Sequence, residues 1–394
     1  MPRFEPFRAV RYDTSGLDPA LVTAPPYDVI GPSDRSELIE RTPVNVVRID
    51  LPVDGNDPYG DAAALFDAWR ADGTLIDDDA PSFTVYRMES VDDDGIVRRT
   101  TGVIGALELS RPGEGDILPH EFTTPKAKSD RLDLLRSTRA NLSAVWGLSP
   151  AVGLTELLLS DDRPLDHFHA DGVTHTVWKV TDPARIDAIR SAIGAHPIVI
   201  ADGHHRYETS LAYRDERRET DGVGGPYDSV MTFVVELSAD ELQVGPIHRL
   251  ISGLPEGFDL RAALEPFFEI MPFEFDDTAT VARLQSAGAL ALVLTDSTWL
   301  LVPRPESMDG VRDLDSSRLD RALATLPAHS LVYQHGVNRI RAAVAAGDVD
   351  AGVLLRPVTI DQIIEIAHGG ERMPPKSTFF APKPRTGVVF RCID

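Results

Sequence analysis

Pro197-Ile-Val-Ile-Ala-Asp-Gly-His-His-Arg206 decides the reading of this chain. Ile198 to Ala201 form a short apolar run with β-branched members, which predicts a strand buried on both faces. Asp202 and Gly203 turn the chain. From His205 onward, Tyr207, Leu211, Ala212 and Tyr213 alternate with Glu208, Arg214 and Asp215 in the pattern of a helix with one wet face. The first turn of a helix carries unpaired N–H groups and the positive end of the dipole, so it attracts anions. Here that turn also holds His204, His205 and Arg206. Gly203 permits close backbone approach, and a guanidinium forks onto two phosphate oxygens. Asp202 is free to cap the helix, or to hold a metal or a histidine. The plain alternative is an N-cap Asp, a turn Gly and a solvated His-His-Arg. Two His and an Arg on one turn after a buried strand favour a phosphate cradle.

Ala201-Asp-Gly-His-His-Arg206 resembles the central motif of the bacterial and archaeal family labelled domain of unknown function 1015. Three further stretches resemble the same family, in its order: Pro25-Pro-Tyr-Asp-Val-Ile30, His120-Glu-Phe-Thr123 with Lys126, Asp130 and Arg131, and Met373-Pro-Pro-Lys-Ser-Thr378 with Pro382-Lys-Pro384. Together they span nearly the whole chain. The D-G-H-H-R element by itself also resembles the phosphate-binding turn of the ParB/sulfiredoxin-like superfamily, over about ten residues. In the free serine kinases of that superfamily this turn holds the donor's phosphates.

The chain has 394 residues, 42% hydrophobic and 26% charged, which is ordinary globular composition with length for two or three domains. No apolar run approaches the roughly 18 residues of a membrane span, so no membrane partner is expected. Met-Pro-Arg-Phe lacks a secretory signal layout. Cys392 is the one cysteine, which excludes internal disulfides and cysteine-rich metal sites. These features point to the cytoplasm. The net charge of −23 argues against nucleic acid as a partner. In so acidic a chain, small basic clusters carry information.

Phe4 to Arg11 reads as a strand. Pro25 and Pro26 exclude regular helix, and the family resemblance makes Tyr27 and Asp28 candidates for contact with substrate. Ser33 to Arg41 reads as a helix capped by Ser33, Val44 to Leu51 as a strand, and Asp61 to Asp72 as an amphipathic helix. Phe83 to Met88 and Val97 to Leu109 read as strands joined by a turn at 92–95. Ile117 to Pro125 is a loop leading to a helix. Five Lys or Arg lie between 126 and 139. Glu121 suits a general base or a Mg²⁺ ligand, beside His120. Lys126 and Arg131 suit phosphate, and Asn141 lies close behind. His167 and His169 read as surface residues for want of a third clustered metal ligand. Val173 to Val180 is an alternating strand and Asp182 to Ile193 a helix. Arg217 to Pro226 reads as a Gly-rich loop, either closing over a ligand or merely connecting. Tyr227 to Leu237 is a buried strand. Beyond 256 the chain alternates Ala-rich helices, near 259–269, 278–287, 317–325 and 337–346, with strands at 289–295 and 298–303. In the tail, Arg372, Lys376, Lys383, Arg385 and Arg391 face the single acid Glu371 on a Pro-rich, extended backbone ending in a strand from Val388.

The expected fold is α+β, a mixed α/β arrangement. A mixed sheet core carries the ParB/sulfiredoxin-like strand–turn–helix phosphate site, with a second α/β lobe. Residues 1–255 form the phosphate-binding region, 256–350 the second lobe, and 351–394 an arm returning to the core. The expected function is a phosphotransferase on a small hydroxyl metabolite, similar to free serine kinases. Glu121, Asp202 and His205 are the catalytic candidates. Gly203, His204, Arg206, Lys126, Arg131, Lys376 and Ser377 are expected to take phosphate or nucleotide. Tyr27, Asp28, His120 and Asn141 are expected at the substrate. A nucleotide or pyrophosphate is the expected donor and Mg²⁺ a candidate cofactor, with no metal ligand singled out. There is no P-loop and no mainstream kinase motif set. A phosphate-ester hydrolase and a non-catalytic nucleotide or phosphometabolite binder are the alternatives.

Overall fold

A computed structural model describes the chain except for residues 92–96, 120–125, 239, 277–278, 369–372 and 375. It divides into two compact units. The first comprises Met1–Leu242, Ala367–Glu371 and Pro382–Asp394; the second comprises Gln243–Ile366 and Arg372–Ala381.

The first unit is built on a mixed sheet. Its strands run in the order Ile117–Pro119, Ile198–Asp202, Val145–Ser149, Ser229–Glu236, Val97–Glu108, Phe83–Val91, Val173–Val180 and Asp166–Ala170, and Phe4–Glu5 joins beside the far end of Val97–Glu108. The strand entering the turn pairs parallel with Ile117–Pro119 and antiparallel with Val145–Ser149. All of Ile198 to Ala201 are buried, as a central strand flanked by other strands requires. Phe4 stacks on Phe83 at 5.2 Å between ring centres. Gly105 lies under that pair, where a Cβ would meet the Phe4 ring at 2.5 Å. Behind the sheet, Val10, Tyr12, Phe66, Trp69, Leu134 and Phe390 form a second apolar cluster, into which the C-terminal segment inserts.

The second unit has an antiparallel sheet in the order Phe268–Pro272, Thr298–Pro303, Leu290–Val293, Ala351–Leu354, His248–Ser252 and Ser330–Gln334. Leu290 and Leu292 point into one core while Ala291 and Val293 point into another, so the period-two alternation is buried on both faces. Among the described residues no helix is long and apolar enough to cross a membrane.

Several expected elements differ. Ser33 is not the cap: Gly31 is, in front of the helix Pro32–Arg41, and its N–H donates to Asp34 Oδ2 at 2.9 Å. The Phe4–Arg11 stretch holds two strands, Phe4–Glu5 and Val10–Tyr12, and Ile117–Pro119 is a sheet strand rather than loop. The Val44–Leu51 stretch is not a strand: Val47–Asp50 is a short helix. Asn45 drives this, because its side-chain oxygen accepts from Val47 N at 2.9 Å while its amide donates to Leu21 O at 2.6 Å. A local cap overrides β-branched propensity there. The helix after the turn does not stop near Arg214 but runs to Asp221, supported by Arg217 donating to Asp221 at 2.6 Å four residues on. The helix near 259 ends at Leu264, and Phe268–Pro272 is a strand. The 92–95 turn lies outside the described residues. His167 and His169 are exposed on their strand, as expected.

Candidate functional site

The strand Ile198–Asp202 ends on an irregularity. Ile200 pairs with Gly147 and Asp202 with Trp146, so Ala201 is an extra residue. Such a bulge re-aims the side chain that follows it. Gly203 then adopts φ +84°, ψ 27°, and the 18-residue helix His204–Asp221 begins. A Cβ at 203 would stand 3.0 Å from the Arg206 guanidinium, so glycine is required on both conformational and steric grounds. Arg206 folds back over the turn. Its Nη2 donates to Asp202 Oδ2 at 3.0 Å and its Nη1 donates to the Ala144 carbonyl.

Asp202 has a second partner. Lys383 Nζ donates to Asp202 Oδ1 at 3.0 Å and to Asp28 Oδ2 at 2.6 Å. Asp28 sits on the short 3-10 turn Tyr27–Val29, placed by Pro25 and Pro26. Burial by itself would raise the Asp202 carboxyl, but Lys383, Arg206 and His204 outweigh it and hold it well below the usual carboxylate range. Burial pulls the Lys383 ammonium down, and Asp202 and Asp28 more than reverse that, leaving it raised. Both groups are therefore charged at neutral pH.

A second cation lies on the helix Lys126–Thr138. Arg131 is buried, with its guanidinium 4.2 Å over the Tyr27 ring. Its Nη1 donates to Asp50 O at 2.6 Å and to Asp50 Oδ1 at 3.3 Å, and its Nε donates to Asp130 Oδ2 at 3.0 Å. Tyr59 OH donates to the other Asp130 oxygen at 2.7 Å. Burial raises the Asp50 carboxyl despite Arg131 and Arg206, and burial likewise raises the Tyr27 phenol. Arg131, Arg206, Asp50 and Asn141 line a common cavity of about 50 Å³.

A family model described as "Protein of unknown function (DUF1015)" matches residues 4–317. The chain belongs to this family. No curated protein sequence matches it. Among solved structures, the DUF1015 chain is similar to a free serine kinase in complex with AMP, at 14% identity and TM-score 0.40, over 71% of this chain and 88% of that one. It is similar to a conserved hypothetical protein from Pyrococcus furiosus at 14% identity and TM-score 0.38, over 70% and 90% of the two chains. It is also similar to a C-terminally truncated SbnI from Staphylococcus aureus at 9% identity and TM-score 0.40, over 72% and 85%. These are distant likenesses of fold. The chemistry has to be read from the side chains of the DUF1015 chain itself.

Of the expected site residues, Asp202, Gly203, Arg206, Tyr27, Asp28 and Arg131 come together around the turn. His204 is buried on the first helical turn and His205 half-buried beside it. Asn141 is buried too, but its Oδ1 accepts from Met231 N at 3.0 Å and from Arg391 at 3.3 Å, which fits it to joining strands. Lys126 opens its helix. His120 and Glu121 lie outside the described residues. Lys376 and Ser377 belong to the second unit; the Ser377 hydroxyl donates to Pro374 O at 2.7 Å and lies 3.2 Å from that of Ser316. Two residues of the cluster escaped the sequence reading as site members. Asp50 was hidden in a stretch that reads as a strand. Lys383 stood in view as one of five cations in the tail, and its Pro-Lys-Pro setting, which holds a side chain out from a rigid backbone, is the signal that singles it out.

Proposed function

We propose that this chain is a phosphotransferase acting on a small hydroxyl-bearing metabolite, with the Asp202–Arg206 turn receiving a phosphate group. The observation that carries this reading is Lys383, brought to a left-handed glycine turn at the start of an 18-residue helix that also presents His204, His205 and Arg206. Phosphoryl transfer asks for positioned positive charge more than for an activated nucleophile. In this reading Lys383, Arg206 and the His204–His205 pair neutralise the transferred group. Asp202, kept ionised, orients Lys383 and Arg206. Glu121 accepts the proton of the acceptor hydroxyl as its oxygen bonds to phosphorus, and the leaving phosphate keeps the electron pair of the broken bond. Asp28 and Asp202 are both taken by Lys383, and among the described residues no three His, Cys, Asp or Glu are grouped to hold a metal ion. No step is therefore drawn through Mg²⁺.

A second reading is a binder without turnover. It is favoured by the pairing of Lys383, Arg206 and Arg131 with carboxylates, which a phosphate has to displace or share.

The test is a thermal-shift panel of ATP, ADP, AMP, pyrophosphate and phosphoserine on the full chain, followed by a transfer assay with free serine as first acceptor. A saturable rise in melting temperature is expected for at least one phosphorylated compound. Glu121→Gln should keep that rise and lose turnover. If both proteins bind and neither turns over, the binder reading replaces the enzyme. If nothing in the panel raises the melting temperature, the phosphate reading is dropped.

A further inference from the structure

Several buried polar atoms of the first unit lack a hydrogen-bond partner among the described residues, and three of them, Arg131 Nη2, Arg206 Nε and Thr209 Oγ1, belong to residues that line one cavity. Arg131 Nη2 lies 3.0 Å from an Asp130 oxygen, but not in hydrogen-bonding geometry. All three residues line the same cavity, which lies between the helices Lys126–Thr138 and His204–Asp221. Arg131 is 6% exposed and Thr209 3%. Orphaned buried donors are rare in folded proteins, and a set of them around one space calls for a guest. A guanidinium N–H can only donate, so the guest must accept. At about 15 Å³ per water-sized sphere, the roughly 50 Å³ available holds about three waters, or one tetrahedral oxyanion. The lining itself carries two guanidinium groups and one carboxylate, Asp50, while Asp130 and Asp202 pair with those guanidinium groups from outside it.

We propose that this cavity binds a small oxyanion, held by Arg131 Nη2, Arg206 Nε and Thr209 Oγ1. The site is distinct from the turn. Arg206 uses its two terminal nitrogens on Asp202 and Ala144 and leaves Nε over, and the cavity lining includes Arg206 but none of Asp202, Gly203, His204 and His205. It stands whether or not the turn itself takes a phosphate.

Inorganic phosphate is the probe, titrated at constant ionic strength into the full chain while the melting temperature is followed. The wild type and Arg136→Gln, an exposed position on the helix Lys126–Thr138 outside the cavity lining, should show the same saturable rise. Thr209→Val keeps the side-chain shape and removes one hydrogen bond, so its apparent Kd should weaken by roughly three- to tenfold. An equal response in Thr209→Val, or no saturable rise in the wild type, overturns the proposal. A response lost in the turn variant His205→Gln but kept in Thr209→Val also overturns it and assigns phosphate to the turn. Crystals soaked in selenate give a readout independent of stability. An anomalous peak between Arg131, Arg206 and Thr209 is expected, and ordered water alone in that position refutes the site.

Discussion

Lys383 places its ammonium 3.0 Å from a carboxylate oxygen of Asp202 while its side chain is only 11% exposed. A buried ion pair adds little net stability when intact, but removing one partner leaves the other charge uncompensated. Lys383→Met should therefore destabilise the first unit by about 2–4 kcal/mol, below the fully buried range because Asp28 and Asp202 retain some solvent. Adding Asp28→Asn to Lys383→Met should recover part of the loss. Urea unfolding of the two single variants and the double variant measures the coupling, and strict additivity would show that the contact is energetically idle.

Gly203→Ala forces a Cβ into a left-handed backbone conformation and against the Arg206 guanidinium. A loss of about 1–2 kcal/mol is expected in urea unfolding. Gly153→Ala, at the start of another helix of the first unit with φ +84°, ψ 8° and only an ordinary 3.6 Å contact for its Cβ, tests the two contributions separately. It should show the backbone cost without the collision and lose less than Gly203→Ala.

Acid stability should begin to fail well above the carboxylate range. An ordinary imidazole titrates near 6.5, whereas burial, with Arg385 close by, holds His175 at about 3. Burial, with Arg249 and His335, does the same to His248, also at about 3. Between those values the unfolded chain binds protons that the native chain refuses. Stability is therefore full above about pH 6.5 and falls as pH drops toward 3, by up to roughly 5 kcal/mol for each histidine. Tyr86 OH lies 2.8 Å from His175 Nδ1, so His175→Gln offers an acceptor without a titration. Chemical denaturation from pH 7 to 4 should show a shallower slope in that variant, and an unchanged slope would remove His175 from the account.

Phe390 is fully buried, with its ring 5.6 Å from Phe66 and 5.8 Å from Tyr12. Phe390→Ala should cost about 3–5 kcal/mol and lower the urea midpoint of the first unit. Its backbone pairs with Val10 at 2.9 and 3.0 Å. A loss below 1 kcal/mol would mean that the tail is not part of that core.

The strand–glycine–helix element was legible because its signals are local. Apolar β-branched residues are followed by a residue type that alone tolerates the backbone angle, and then by a helical period. The helix beginning at Asp182 and the Val173–Val180 alternation were readable for the same reason. What could not be read was long-range pairing. Nothing between Asp28 and Lys383 announces that they share a hydrogen bond, and Asp50 sat in a stretch whose β-branched composition pointed away from the Asn45-capped turn that places it. The cavity depends on how the helices Lys126–Thr138 and His204–Asp221, distant in the chain, lie against each other, which no pattern along one strand or helix encodes.

The ribosome delivers Asp202 181 residues before Lys383. At about 5–20 residues per second, roughly 10–35 s of translation separate them. Throughout that interval the nascent first unit carries Asp28 and Asp202 without the ammonium that joins them, and the apolar nest for Phe390 stays unfilled. The sheet can assemble early, but the charge-balanced turn is completed only by residues made after the whole second unit, so a chain stalled within that unit would display a scaffold with an unfinished centre.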